Sequence, residues 1–217
     1  MQQSRLELVN LDQPLRWKKP RGIFVCSMTD LFGEFVPPEM VASVLDVCVE
    51  ADWHRFALLT KRFDQMLFRV GLNQTRFFNQ PHIWWGMTVG HQKAADEALP
   101  YMRRMRELLG PNAILWVSYE PALEAVNWKG WECINWLVIG GESGSKARSF
   151  NPMWGLDAIQ WALDNGIAPY FKQLGSNPAA DHFYGWSITG KGDRPEEWPD
   201  WLNVQCFPAV PPSMEAQ

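Results

Sequence analysis

Six short apolar runs of the chain end in groups that can do chemistry. "IFVCSMTD" (23–30) ends in Ser27, Thr29 and Asp30, and "FALLTKR" (56–62) in Thr60, Lys61 and Arg62. "IWWGMTVGHQ" (83–92) brings Thr88, His91 and Gln92, and "AILWVSYEP" (113–121) brings Ser118, Tyr119 and Glu120. "INWLVIGGES" (134–143) ends in Gly140, Gly141, Glu142 and Ser143, and "APYFKQLG" (168–175) in Lys172 and Gln173. Glu120 and Glu142 are candidate acid–base groups, and Lys61 is a candidate catalytic cation. Ser27, Thr29, Asp30, Thr88, Ser118, Gly140, Gly141 and Lys172 are candidate ligand contacts. Such a mixture of acids and cations suits a zwitterionic or nucleotide-like ligand better than a bare polyanion. Each residue also has a bland reading. Asp30 can cap a turn, Lys61 or Lys172 can neutralise Glu120, and Glu142 can pair with Arg148. For single residues the bland reading is the stronger. For the set, convergence on one face favours a ligand site.

Other motifs are weaker. The glycines of "GGESG" let a backbone approach a ligand and offer N–H groups, but a tight turn needs them too. Dinucleotide spacing, the phosphate-loop Lys-Ser/Thr and a nucleophile elbow are all missing from this stretch. His91 is either a general base or a solvated side chain, and His54 and His182 have no partner spacing. Cys26, Cys48, Cys133 and Cys206 lie far apart, which argues against a metal site. Cys26 and Cys48 read as small buried hydrophobes.

These residues need elements to hold them. The six runs are short, apolar and without alternation, as in strands buried on both faces of a parallel sheet. Helical stretches lie between them. Residues 37–51 place Met40, Val44, Val47 and Cys48 on one stripe after a proline start. Residues 93–110 do the same with Leu99, Met102, Met105 and Leu109, and Pro100 implies a kink or a break into two helices. Residues 151–166 open on an Asn cap and close at Gly166. A short helix is expected over 63–70, and a loop over 122–133. The alternation predicts an α/β fold, a partial (β/α) TIM-like barrel of about six parallel strands in a single domain over 1–217. A doubly wound open sheet is the alternative. Residues 1–20 read as a linker. Residues 176–217 read as an irregular Trp/Pro-rich cover with room for a hairpin within 185–208 and a frayed end. Ligands of such a fold bind where the strands' C-terminal ends meet their loops, so the six strand ends above should share a mouth.

Composition sets outer bounds. The 217 residues are 47% hydrophobic and 20% charged, with net charge -4, an ordinary globular balance. No basic tract occurs, so tight non-specific nucleic-acid binding is not expected, although a local basic groove is compatible. The 13 tryptophans favour core packing over ligand stacking. With no signal peptide and no long apolar span, the expected location is cytoplasmic, away from membranes, with reduced thiols.

Taken in order, "LRWKKPRGIFVCSMTDLF", "LLTKR", "VSYEP", "WLVIGGESG" and "FKQLG" resemble the successive motifs of the three-Cys-motif phage protein family. That resemblance covers most of the chain from Leu15. It implies a phage or mobile-element protein built as a radical S-adenosylmethionine-type barrel enzyme, acting on nucleic acid, with S-adenosylmethionine and a 4Fe-4S cluster as cofactors. Relatives hold the cluster on three clustered cysteines upstream, and none of the four cysteines here replaces them. The resemblance therefore implies an N-terminally shortened or cluster-less variant, with Ser27, Thr29 and Asp30 in the early-strand cofactor role. It also implies an open edge between the first and sixth runs, covered by a partner protein or by the tail. The alternative is a non-catalytic nucleotide or nucleic-acid binding module that uses the mouth. A third option is an acid–base hydrolase or isomerase using Glu120 or Glu142 with His91.

Overall fold

A computed structural model describes residues 8–179 and 188–209. Six parallel strands pair in chain order, β1 Gly22–Phe24, β2 Arg55–Thr60, β3 Ile83–Thr88, β4 Ile114–Tyr119, β5 Trp136–Gly140 and β6 Ala168–Gln173. The sheet curls into a half-barrel flanked by helices. The helices are α1 Gln13–Arg16, α2 Pro38–Glu50, α3 Phe63–Gly71, α4 Gln74–Phe77, α5 Gln92–Leu109 and α6 Pro152–Asp164. Among the described residues no helix is long and apolar enough to cross a membrane.

The main core lies between the sheet's outer face and the helices. It takes alternate strand residues such as Phe56, Leu58, Ile83, Trp85, Met87, Leu115 and Val117, and packs them on α2, α3, α5 and α6. Helix α2 buries Val41, Val44, Leu45 and Cys48, one position around from the expected stripe, leaving Met40 only half-buried. The cores of α5 and α6 hold Met102, Met105 and Leu109, and Ala158, Ile159 and Ala162. Asn151 caps α6 by accepting from Met153 N at 3.0 Å. Trp85, Trp128, Trp131 and Trp198 are the buried tryptophans of this main core.

Several expectations need correction. The first strand stops at Phe24 instead of running to Asp30. Cys26 takes φ 55° and Thr29 N closes a turn on Cys26 O at 3.0 Å, which ends extended backbone. Cys26 is thus half-buried in a turn, while Cys48 is buried as expected. Pro100 does not break α5 in two. It lies on the exposed side, where the carbonyl four residues back can turn to water. Residues 1–20 are more than a linker over their described part. They form α1 and dock through His54, which receives Arg21 N at 3.1 Å and contacts Pro14 O at 2.9 Å. The strands are not all buried on both faces: β2 and β6 alternate, because the half-barrel leaves its inner face partly open.

The tail lies along β6. Phe171 N donates to Val204 O at 2.7 Å and Cys206 N to Pro169 O at 2.9 Å, with an antiparallel bridge between Tyr170 and Gln205. One 3-10 turn, Pro195–Glu197, precedes it. No hairpin forms over residues 188–209. The start of the expected hairpin, His182, Trp186 and the last residues lie outside the described residues.

Candidate functional site

Parallel strands put every second side chain on the concave face. On that face Trp84, Ile114, Trp116 and Val138 form a second, smaller buried cluster, with Ala57, Leu59, Trp136 and Tyr170 packed against it. Trp136 is the hub, with ring centroids 5.4 Å from Trp84, 5.2 Å from Trp116 and 5.7 Å from Tyr170. The tail adds Phe207, stacked on Trp136 at 5.5 Å, while Trp136 Nε1 donates to Cys206 O at 2.9 Å. Above this floor opens a groove of about 710 Å³ that runs from Gly22, Phe24 and Arg55 at one end to Ser118, Glu120 and Lys172 at the other. Drug-sized ligands occupy pockets of roughly 300–1,000 Å³.

The polar end of the groove is lined by three of the residues singled out from sequence, Ser118, Glu120 and Lys172. Thr88 and Ser118 are register partners on β3 and β4, and Gly140 and Lys172 end β5 and β6 on the same face. Glu120 follows β4. Its stem lies over Gly140, where a Cβ would sit 3.4 Å from Glu120 Cγ and 3.2 Å from Gln173 Cγ. Lys172 Nζ donates to Glu120 Oε2 at 2.7 Å. Glu120 Oε1 is shielded from solvent and has no hydrogen-bond partner. Burial pushes the Glu120 carboxyl up from its ordinary value, against the opposing pull of Lys172. The result is a carboxyl that holds a proton more readily than a surface acid, with an unused acceptor oxygen.

The other candidates are placed differently, and none of them lines this groove. Ser27 and Thr29 sit in the exposed turn after β1. Asp30 is a latch between that turn and β2: it accepts from Thr60 Oγ1 at 2.7 Å, Lys61 N at 3.0 Å and Phe32 N at 3.0 Å. Lys61 is exposed. Glu142 grips Arg148 through three bonds of 2.8 Å, from the backbone N, Nε and Nη2, which hold its carboxyl down at about 2. Gly141 is a close-approach glycine, since a Cβ there would fall on the Leu174 carbonyl. His91 caps α5, its Nδ1 accepting from Ala94 N at 3.1 Å.

Sequence reasoning missed the aromatic floor. Trp84, Trp116, Trp136 and Tyr170 all occupy the same pleat phase in neighbouring strands, a match that only the pairing register reveals. A second missed group is Arg106, whose guanidinium ties Ala113 O at 2.7 Å, Cys133 O at 2.9 Å and Asn135 Oδ1 at 2.6 Å, locking the starts of β4 and β5.

An iron–sulfur cluster needs several thiolates brought to one place. Cys26 follows β1, Cys48 lies inside α2 with its thiol pushed up to about 12 by burial, Cys133 precedes β5 and Cys206 is in the tail. Among the described residues no three His, Cys, Asp or Glu side chains come together to hold a metal ion. These thiols do not fit a cluster. The groove itself offers aromatic ring faces along its floor and both charge signs at the Glu120–Lys172 pair.

One family model matches residues 1–201, and its description is "Protein of unknown function (DUF5131)". No curated protein and no solved structure matches the chain.

Proposed function

The chain belongs to this family of uncharacterised proteins, and we propose that its half-barrel is a binding domain for a nucleoside-like small molecule, held in the concave groove with Glu120 as its polar anchor. A planar ring lies against the Trp84, Trp116, Trp136 and Tyr170 floor, where stacking and area burial supply affinity without demanding one base. An amino group or ring N–H of the ligand donates to Glu120 Oε1, and a carboxylate or phosphate meets Lys172. The observation that carries this reading is the Glu120 carboxyl, with one oxygen on Lys172 and the other buried and unpartnered at the polar end of an aromatic groove. An unsatisfied buried acceptor costs stability unless a ligand uses it.

The resemblance to radical S-adenosylmethionine barrels makes that molecule the first ligand to test, alongside adenosine and AMP. The same Glu120 carboxyl is set to exchange a proton with a bound ligand, since its raised pKa brings it nearer neutrality. The test is calorimetric titration, backed by quenching of tryptophan emission. Saturable binding is expected for S-adenosylmethionine. Glu120→Gln should weaken it about tenfold, while leaving the analogue that lacks the amino group unchanged. No saturable binding by any of the three ligands, or equal binding by Glu120→Gln, overturns the reading.

A further inference from the structure

The opposite end of the groove carries a cluster of cations. Lys18, Lys19 and Arg21 are consecutive exposed residues of "WKKPRG", interrupted only by Pro20. They run directly into Gly22, which lines the groove and pairs in register with Arg55, another exposed cation on the groove lining. Arg55 N donates to Arg21 O at 2.8 Å, so the two cationic residues are held side by side. Among the described residues none of these four takes part in an ion pair, whereas their neighbour Arg16 is neutralised by Asp12 at 2.7 Å. The segment is not a loose tail. Three contacts pin its backbone to the body of the protein: Arg21 N to His54 Nδ1 at 3.1 Å, Trp53 Nε1 to Trp17 O at 2.8 Å, and His54 Nε2 with Pro14 O at 2.9 Å. The Arg21 guanidinium carbon also lies over the Trp17 ring, 4.3 Å from its centroid.

In a chain of net charge -4, no acid among the described residues neutralises these cations beside an aromatic groove. Fixed cations that continue into a stacking surface match a flexible polyanion whose monomers carry planar rings. We propose that Lys18, Lys19, Arg21 and Arg55 form a phosphate-binding ridge for single-stranded nucleic acid, which leads one base of the strand into the groove. Duplex nucleic acid does not fit this reading, because its bases are stacked on each other and cannot enter. The proposal extends the small-ligand reading from a free nucleoside to a residue of a strand.

Fluorescence anisotropy with labelled single-stranded oligonucleotides of about twelve nucleotides, one DNA and one RNA, tests it. Lys18→Ala/Lys19→Ala/Arg21→Ala should lower affinity at least tenfold for whichever strand binds and flatten the log affinity–log salt slope by about 2, three phosphate contacts at roughly 0.7 each. Lys18→Arg/Lys19→Arg should keep wild-type affinity. The triple-alanine variant should bind S-adenosylmethionine or adenosine as the wild type does, so failure of the ridge is separable from failure of the groove. The proposal is overturned if neither strand binds in low salt, or if the triple-alanine variant keeps both affinity and slope. It is also overturned if a duplex of the same length or heparin binds as tightly as the strand, which would mean simple polyanion adhesion.

Discussion

A carboxyl buried with half its acceptors unused is a stability cost that a ligand site explains. The Glu120 side chain is 14% exposed, and burial raises the pKa of its carboxyl above the ordinary carboxylate value. Because the folded state holds this proton more tightly than the unfolded chain, Glu120 lowers stability as pH rises from about 4.5 through its folded value, and costs nothing below both. Glu120→Gln should therefore raise Tm at pH 7 by about 2–4 °C, equivalent to ~1 kcal/mol, with the gain vanishing in melts below pH 4.5. Lys172 is 54% exposed, so water replaces its lost partner. A variant that melts lower than wild type at pH 7 would show that the pair is there for structure. Glu142 has the opposite sign. Its carboxyl is depressed to about 2, so its contribution is complete above about 4.5 and is lost as pH falls toward 2. Its partner Arg148 is at the surface, and the expected effect is local: Glu142→Gln should speed exchange of the Arg148 amide about tenfold while leaving the global melt unchanged. Slow exchange in that variant would mean that the loop is held by something other than the carboxylate.

The strands explain why the groove has a floor at all. Gly86 sits in the middle of β3, where glycine ordinarily weakens a strand. A Cβ there would fall on the Trp116 indole and lie 2.7 Å from Leu58 O, so the missing side chain is what lets Trp116 lie across the sheet. Gly86→Ala should cost about 2–3 kcal/mol, lowering Tm by at least 5 °C, and should abolish groove binding even where the fold survives at low temperature. Wild-type ligand affinity in that variant would remove Trp116 from the site. The same strands show what was legible in advance. Runs such as "IWWGMT" and "AILWVSY" revealed a parallel sheet, and the order of strand ends put Ser118, Glu120 and Lys172, which line the groove, among the candidates. The floor was hidden because its tryptophans sit in runs apolar at every position: Trp84 faces in and Trp85 faces out, and single letters do not tell them apart. For Asp30 and Glu142 the bland reading was already legible: Asp30 holds a turn, and Glu142 takes Arg148 as its partner, while the Asp30 bond to Thr60 depends on the pairing of two distant segments.

At the scale of the molecule, six strands cannot close a barrel, and each open edge is a place where another chain can pair. The β1 edge is blunted by being only three residues long. The β6 edge is a full six residues, and there the tail takes the place of a seventh strand. It supplies Val204 O to Phe171 N and takes Pro169 O for Cys206 N, then folds Phe207 onto Trp136 and Tyr170 at 5.5 and 5.3 Å. Two backbone bonds at about 1 kcal/mol each and two ring contacts at roughly 0.5–1.5 each amount to about 4 kcal/mol. Ending the chain at Leu202 should thus lower Tm by about 10 °C and shift the protein toward concentration-dependent self-association, measured by differential scanning fluorimetry and by light scattering behind a sizing column. Ligand affinity should fall as well, because Phe207 is a wall of the groove. A shortened chain that melts with the full-length protein, elutes with it at every concentration and binds as tightly would show that the tail is only a cover, with no part in protecting the edge or shaping the site.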